Sequence, residues 1–159
     1  MDFRELREED ISGIWEINEQ GLPGTGQVNQ AEIKALLELS ELTLGAFSDG
    51  ELLGFVICLL PRTDYGSLNY SWFNERYDHF IYVDRIAIAE NHRNMGIGSK
   101  IYQEVVIYAT QHGIPIAAEV SLEPPNPGSM RFHHRYGFNE VGVLTHDSKS
   151  VTMMLRSSR

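Results

Sequence analysis

The feature that most constrains the fold is the stretch 84–102, in which an apolar strand leads through a polar turn into an amphipathic helix. The strand part ends near Ile88, and the turn carries Gly96 and Gly98. The first turn of a helix has backbone N–H groups without helical acceptors, and neighbouring glycines let a phosphate approach them closely. The stretch therefore predicts a strand–turn–helix unit that holds the pyrophosphate of a nucleotide-like cofactor.

The spacing of the glycines separates this turn from two other phosphate sites. A Walker loop requires Gly-x-x-x-x-Gly-Lys-Ser/Thr, which the segment 96–100 does not supply. A dinucleotide fingerprint requires a third glycine where this chain has Ile101, and it normally opens the fold, whereas this turn lies past the middle of the chain. The pattern that fits is Arg/Gln-x-x-Gly-x-Gly/Ala, formed by residues 93–98.

The rest of the chain reads as strands and helices with hairpins at the flanks. Strands are predicted at 3–6, 42–47, 52–60, 80–88, 116–120, 138–144 and 151–155, and helices after an N-cap at Asp10 and at about 29–40, 97–112 and 129–136. The connection from Ile88 through a helix to Ile116 should be a right-handed parallel crossover. Central strands that alternate with helices predict an α/β chain with a mixed sheet and helices on both of its faces.

Composition sets bounds on the function. The 159 residues are expected to form a single domain, 1–159, with an ordinary balance of 42% apolar and 22% charged residues. The net charge of −9 argues against nucleic acid as a partner, because phosphate binding needs clustered basic residues. No apolar run is long enough to span a bilayer and the first residues lack a signal pattern, so a cytoplasmic location is expected. The single cysteine, Cys58, lies in an apolar run and is expected to be a buried structural thiol.

The segment 61–78 has no clear periodicity and is predicted to be a long loop with four aromatic residues. Its aromatic faces could enclose an apolar or cationic group, since they attract ammonium ions. The residues predicted to bind such a group are Asn69, Tyr70, Trp72 and Phe73. A plain core-packing role for the aromatic residues is the competing interpretation.

Two segments together resemble the GNAT superfamily of acetyl-CoA-dependent N-acetyltransferases. The first is the turn 93–98 directly after its strand, and the second is 126–138, in which an asparagine begins the last helix and Gly-Phe follows it. The order of the elements fits the family over nearly the whole chain. The resemblance implies the GNAT acyltransferase fold, which has a central mixed, mostly antiparallel twisted sheet with a splayed parallel pair and helices on both faces.

The resemblance also implies a cofactor site for acetyl-CoA. In this family the strand before the turn leaves backbone groups free to pair with pantetheine, and the turn holds the pyrophosphate. The pantetheine role would fall to Ile86, Ala87 and Ile88. The pyrophosphate role would fall to Arg93, Asn94, Met95, Gly96, Ile97, Gly98, Ser99 and Lys100. Asn126 would lie near the pantetheine or sulfur end, with Phe132 in the same site. The competing interpretation of Arg93 is an exposed charge in a turn.

The predicted chemistry needs a group that takes or relays the proton of the acceptor amine. Glu119 is the first candidate, because a carboxylate in an apolar strand is costly to bury unpaired and would acquire the raised pKa of a useful base. Asp84 is the second candidate, and a water-mediated base is also open. The competing interpretation is a structural ion pair, for example with Arg85 or Arg131.

The leaving thiolate needs an acid, and here the chain departs from the family. Many members have a tyrosine four residues before the glycine of Gly-Phe, and this chain has His133 at that position. Histidine can donate a proton near neutral pH, so His133 is the first candidate and Tyr136 the second. Contact with the cofactor or membership of a basic helix face are the other roles open to His133. The adjacent His133 and His134 do not form a metal site, because neighbouring helical positions point in different directions.

The resulting hypothesis is an enzyme that moves an acetyl group from acetyl-CoA to a primary amine by direct attack in a ternary complex. The acceptor is expected to be a small molecule, an amino-acid-like compound or a peptide N-terminus. The alternatives are a non-catalytic acyl-CoA-binding module and an acyltransferase with another acyl donor or a hydroxyl acceptor. A homodimer is open by analogy with the family. No nucleic acid, membrane or metal ion is expected as a partner of this chain.

Overall fold

A computed structural model of the chain describes residues 1–158. The seven strands are β1 (Asp2–Arg4), β2 (Leu42–Ser48), β3 (Glu51–Leu59), β4 (Ile81–Ile88), β5 (Ile116–Glu123), β6 (Asn139–His146) and β7 (Lys149–Arg156). The five α-helices are α1 (Ile11–Gln20), α2 (Gln30–Leu39), α3 (Leu68–Arg76), α4 (Ile97–His112) and α5 (Pro127–Arg135). Short 3-10 turns occupy Glu8–Asp10 and Glu90–His92. None of these helices has the length and apolar composition that a membrane span needs.

The strands form one mixed sheet in the order β1-β2-β3-β4-β5-β7-β6. The pairs β1–β2, β2–β3, β5–β7 and β6–β7 are antiparallel, and β4–β5 is parallel. The parallel register pairs Ile81 with Ile116 and Tyr82 with Ala117, at the start of each strand. The predicted fold class, a mostly antiparallel mixed sheet with one parallel pair and a helical crossover, is confirmed.

The chain divides into two compact units, and the first comprises residues 1–59 and 83–107. Its β2–β3 hairpin turns at Asp49 and Gly50, which both adopt positive φ. The helices α1 and α2 bury Ile14 and Ile33 completely, and the apolar strand β3 adds residues such as Phe55. The predicted hairpin and both helices are therefore confirmed, because apolar residues at helical and strand spacing meet in this core.

Asp10 precedes α1 as predicted, but its side chain does not cap that helix. Its carboxylate instead accepts two hydrogen bonds of 2.9 Å from the Arg4 guanidinium and one of 2.8 Å from the backbone N–H of Arg7. Burial by itself raises the pKa of Asp10, but the donors Arg4 and Arg7 outweigh it and the pKa is lowered. The ion pair between Asp10 and Arg4 thus connects β1 to the start of α1.

The second unit comprises residues 60–82 and 108–158. Its antiparallel strands β5, β7 and β6 are in register with Glu119 opposite Met153, and with Val143 opposite Thr152. Its completely buried residues are Tyr70, Phe73, Phe80, Ile81, Tyr82, Ala109, Ala117, Met153 and Met154 within the part that the structure describes. An aromatic cluster from α3 and β4 therefore fills this core.

The prediction of a loop over 61–78 is wrong for its second half, which forms α3. The Ser67 side chain accepts a hydrogen bond from the Tyr70 backbone N–H and so caps the helix. Tyr70 and Phe73, three residues apart, are the side chains that α3 buries, and the rest of the helix is polar or partly exposed. With only two buried positions in nine residues, the helix has no aliphatic stripe from which periodicity could be read.

Candidate active site

In the first unit, β4 leads through the predicted turn into α4. Asn94 and Gly96 adopt left-handed φ values of 64° and 79°. The Gly96 carbonyl accepts a hydrogen bond of 3.1 Å from the Lys100 N–H, which starts the helix. A glycine is favoured at position 96 because its backbone conformation is one that other residues rarely adopt.

Gly98, the second residue of α4, has no positive φ that would require glycine. A Cβ there would lie 3.9 Å from Ile88 Cγ1, at ordinary contact distance. At Gly96 a Cβ would meet nothing within 4 Å. The first turn of α4 is therefore bordered by open space, with its N–H dipoles at the helix start. These residues fit a pyrophosphate group, which needs backbone donors and room for its oxygens.

Arg93 folds back onto its own turn. Its Nε donates to the Ile88 carbonyl at 3.2 Å, and a terminal nitrogen donates to the Gln20 carbonyl at 3.1 Å. Glu90 is bound to the same residue, since its N–H donates to Gln20 Oε1 at 2.8 Å. The guanidinium thus holds the turn 93–98 against the end of α1, which supports a positioning role and weighs against direct phosphate contact.

The predicted pantetheine strand ends close to β3. Ile86 and Ile88 are partly exposed and Ala87 is buried, as alternation along a strand requires. A Cβ on Gly54 would lie 2.6 Å from Ile88 Cδ1 and 3.2 Å from the Ala87 carbonyl oxygen. Gly54 therefore allows β3 to approach this end of β4. The remaining predicted contacts in the turn, Asn94, Met95 and Lys100, are exposed, and Ser99 is partly exposed.

Asp84 forms a structural ion pair with Arg85, which is the competing interpretation to a general base. Its Oδ2 accepts a hydrogen bond of 2.8 Å from Arg85 Nε, and both side chains are more than nine-tenths buried. Arg85 also donates to Asn18 Oδ1 and to the Gly26 carbonyl, each at 3.1 Å. Burial raises the pKa of the nearby Cys58 thiol, and the charge of Asp84 raises it further. These contacts favour a structural role for Asp84 over general-base catalysis.

In the second unit, Glu119 is the centre of a hydrogen-bond network. The Tyr82 hydroxyl lies 2.8 and 2.9 Å from its two carboxylate oxygens, and Asn69 Nδ2 donates to Oε1 at 3.2 Å. His146 Nε2 lies 3.3 Å from Asn69 Oδ1. Glu119 is partly exposed and paired with polar groups, in contrast to the buried, unpaired acid that the sequence suggested.

The other predicted acceptor contacts pack inside this unit. Tyr70 and Phe73 have no exposed surface, and this burial favours the core-packing alternative over contact with an acceptor. The Trp72 ring lies against the backbone of Gly142, where a Cβ would come within 2.5 Å of Trp72 Cζ2. The Arg76 guanidinium covers the ring at 4.1 Å from its centroid. Of the four predicted residues, Asn69 is the one that the structure brings to Glu119.

His133 is buried in α5, at 6% exposure. Its Nδ1 lies 2.7 Å from the Ser129 carbonyl, and its ring makes edge contacts with Phe132 and Phe138. Burial lowers the pKa of His133, and the hydrogen bond with Ser129 opposes this effect only in part, while the charge of His134 adds a smaller lowering. A lowered pKa leaves little imidazolium at neutral pH, which weighs against the predicted acid role.

The other residues of the second motif lie around the same helix. Asn126 caps α5, with its Oδ1 accepting from the Ser129 N–H at 3.2 Å. Tyr136 follows α5, and its ring contacts the Phe132 ring in a tilted arrangement, with 4.8 Å between centroids. Its carbonyl accepts a hydrogen bond of 2.7 Å from Arg156 Nε. The contacts of Asn126, Phe132 and Tyr136 with the cofactor remain predictions.

Sequence reasoning did not identify Tyr82 and His146. The parallel register pairs Tyr82 with Ala117, and Glu119 lies two residues further along β5 on the same face. A tyrosine within an otherwise aliphatic part of β4 was the available signal for the first residue. His146 had no such signal, because only the folded hairpin brings the end of β6 to Asn69.

One family model matches most of the chain. The family described as "Acetyltransferase (GNAT) family" matches residues 2–138. A search of curated protein sequences found no match. Among solved structures, Ard1 from Thermoplasma volcanium is 22% identical, with a TM-score of 0.77 over 98% of this chain and 96% of that chain.

Two further structures share the fold at lower identity. The ribosomal-protein-S18-alanine N-acetyltransferase from Escherichia coli is 13% identical, with a TM-score of 0.75 over 98% of this chain and 92% of that chain. The NatC complex bound to Gag peptide and CoA contains a chain that is 14% identical, with a TM-score of 0.75 over 98% of this chain and 97% of that one.

Proposed function

Since the chain belongs to the acetyltransferase (GNAT) family, we propose that Glu119 takes or relays the proton of the acceptor amine in an acetyl-CoA-dependent N-acetyl transfer. The family assignment covers 2–138 and makes the chain an acetyltransferase that uses acetyl-CoA, as predicted. The observation that carries the base assignment is the network of Tyr82 and Asn69 on the Glu119 carboxylate.

Two donors on one carboxylate have a chemical consequence. The Tyr82 hydroxyl and Asn69 Nδ2 fix the orientation of the Glu119 carboxylate and stabilise its ionised form, which is the form that accepts a proton. Because the side chain is partly exposed, an acceptor amine or an intervening water can reach it. A fixed acceptor that is also accessible is the arrangement that general-base catalysis requires.

The turn 93–98 is the proposed holder of the cofactor pyrophosphate. Acetyl-CoA supplies the acetyl thioester when bound. Gly96 and Gly98 leave the space that its phosphates need, and the start of α4 directs its N–H dipoles there. Arg93 keeps the turn in place through its bonds to Ile88 and Gln20. In this proposal the backbone of Ile86–Ile88 remains the partner of pantetheine.

Tyr136 is the proposed proton donor for the departing thiol. The lowered pKa of His133 disfavours that residue, whose Nδ1 is already engaged with Ser129. The Tyr136 phenol carries a hydroxyl proton that it can donate. His133 then serves to hold α5 against Phe138 through its ring contacts.

Among the three acceptor classes, a peptide N-terminus is the first to test. The Escherichia coli relative is named for acetylation of an alanine of ribosomal protein S18, and the NatC complex was solved with a peptide and CoA. A small amine and an amino-acid-like compound are the other two classes. All three present a primary amine, which fits a carboxylate as the receiving group.

The test is thiol release from acetyl-CoA with Glu119→Gln and a matched Glu123→Gln control on the same strand. Glu123 is exposed at the end of β5, so its substitution should leave kcat/KM unchanged. Glu119→Gln keeps an oxygen for the Tyr82 hydroxyl but cannot take a proton, so kcat/KM should fall by about 100-fold or more. A Glu119→Gln enzyme with wild-type kcat/KM would exclude the base assignment.

The acceptor panel pairs each peptide with the same peptide blocked at its N-terminus. Acetylation of the free peptide and not of the blocked one supports an α-amine acceptor. Turnover restricted to small amines or free amino acids would overturn the peptide assignment and leave the role of Glu119 intact.

A further inference from the structure

The network on Glu119 extends one residue beyond the proposed base, to His146 at the end of β6. Asn69 uses both ends of its side-chain amide: Nδ2 donates to Glu119, and Oδ1 lies 3.3 Å from His146 Nε2. An amide oxygen only accepts hydrogen bonds, so the second contact requires a proton on His146 Nε2. The donor direction therefore runs from His146 through Asn69 to Glu119.

The other nitrogen of the His146 ring differs from the first. Nδ1 is buried and has no hydrogen-bond partner within residues 1–158. It lies 3.8 Å from Oδ2 of Asp147, a side chain that is 92% exposed. In the neutral ring with its proton on Nε2, Nδ1 carries a lone pair, and protonation would turn it into a donor towards Asp147. Nε2 carries a proton in both of these forms, so the bond to Asn69 persists in both.

We propose that His146 is a positioning residue that orients the Asn69 amide and thereby the Glu119 carboxylate. The inference rests on the proposed role of Glu119. Without the donor on Nε2, the Asn69 side chain loses the bond that holds its Oδ1, and its Nδ2 is free to turn away from the carboxylate. Glu119 then loses one of its donors while the helix α3 that carries Asn69 stays folded, because Tyr70 and Phe73 anchor it.

The loss of a donor changes the acid–base behaviour of the carboxylate. A hydrogen bond to the charged form of a carboxyl group favours that form, so removing it moves protonation to higher pH. The titratable groups around the network are Tyr82 on β4, which also donates to Glu119, Asp147, which faces His146, and Lys149 on β7, which pairs with His146 across the hairpin. All three are kept when His146 is substituted, and the acid limb of the pH profile of kcat/KM reports the change.

The central experiment is a double-mutant cycle with His146→Phe and Asn69→Leu. His146→Phe keeps a flat ring but removes the donor, and it should lower kcat by about tenfold while the KM for acetyl-CoA stays unchanged. Its acid limb should move to higher pH by about half a unit or more. On the Asn69→Leu background, His146→Phe should have no further effect, because it acts through Asn69. Additive losses, or an acid limb that stays in place, would overturn the proposal.

Two further variants separate a positioning role from a general effect on folding. His146→Gln retains a side-chain N–H donor and should recover part of the lost kcat. His79→Phe provides the matched control, since His79 is an exposed histidine of the same unit, and it should match wild type. If His146→Gln is as impaired as His146→Phe, a donor at position 146 is not what matters and the proposal fails.

A readout independent of catalysis is the NMR signal of the Asn69 side-chain amide. In the wild type its two protons should be distinct and slow to exchange, and in His146→Phe they should approach the values of a free amide. An unchanged signal contradicts the proposal. Glu119→Gln distinguishes failure of the base assignment from failure of the His146 proposal. A fully active Glu119→Gln variant would refute the base assignment. An inactive Glu119→Gln variant with a fully active His146→Phe variant would refute only the positioning role of His146.

Discussion

Replacement of Gly98 by valine should weaken coenzyme A binding without destabilising the protein. Gly98 is the second residue of α4, and an added Cβ would meet only the Ile88 side chain, at 3.9 Å. Glycine is less favourable than valine in the interior of a helix, so the substitution has no cost in helix propensity. The Tm should therefore stay close to that of the wild type.

The branched side chain of valine would occupy the space in which the pyrophosphate is proposed to lie. A lost hydrogen bond to a charged group costs about 1.5–3 kcal/mol, so the Kd for coenzyme A should rise by about 10- to 150-fold. Calorimetric titration measures the affinity, and thermal unfolding without ligand measures the stability. A raised Kd with an unchanged Tm separates a binding effect from a folding effect.

Gly98→Ala is the matched control at the same position. The pattern of the turn accepts glycine or alanine there, and the single added Cβ would lie 3.9 Å from Ile88 Cγ1. Alanine is favoured over glycine in a helix by about 0.5–1 kcal/mol, so Gly98→Ala should raise Tm by about 1–4 °C and leave the Kd unchanged. A Gly98→Val protein with the wild-type Tm and the wild-type Kd would refute the assignment of the pyrophosphate to this turn.

Two other predictions concern the second unit. Gly142→Ala should lower the free energy of unfolding by about 1–3 kcal/mol in urea titrations, because its Cβ would come within 2.5 Å of the rigid Trp72 ring. The control Gly128→Ala, whose Cβ has its nearest atom at 4.0 Å, should not lower this free energy. Equal stability of the two variants would contradict the packing of Trp72 on Gly142. His133 should titrate below its ordinary pKa of 6.5 by NMR, since burial lowers that pKa. The unfolded chain then binds the proton more readily than the folded chain. The contribution of His133 to stability is therefore complete above the unfolded pKa and declines as the pH falls below it. An NMR midpoint at or above the ordinary value would show that burial does not lower the pKa of His133.

Local pattern was sufficient for most of the secondary structure. The helix α4 has the bounds Ile97–His112 that were predicted, because its apolar positions recur at helical spacing after a glycine turn. The hairpin β6–β7 likewise turns at the predicted Asp147 and Ser148, both with positive φ. The helix α3 was missed because its stability comes from two aromatic residues buried in the core and a serine cap. Such tertiary burial leaves no periodic signal in the sequence.

At several positions the sequence could not indicate which side chains form hydrogen bonds or ion pairs with each other. Asp84 and Glu119 are both acidic residues on central strands, and pattern alone could not distinguish them. The structure gives Asp84 a buried ion pair with Arg85, whereas it gives Glu119 the neutral donors Tyr82 and Asn69. It also buries His133 and lowers its pKa, which the motif position could not indicate. Burial and partner identity set the pKa of a side chain, and both depend on contacts between distant residues.

The sequence by itself therefore determined the family, the mixed sheet and the glycine turn at 93–98, because these depend on the order of elements and on local backbone preferences. Only the tertiary structure decided which side chains meet: that Arg93 holds the turn, and that Asn69 and His146 lie next to Glu119. The physical reason is that helices, strands and turns follow from neighbouring residues, whereas hydrogen bonds between side chains on different elements follow from the packed register of the sheet.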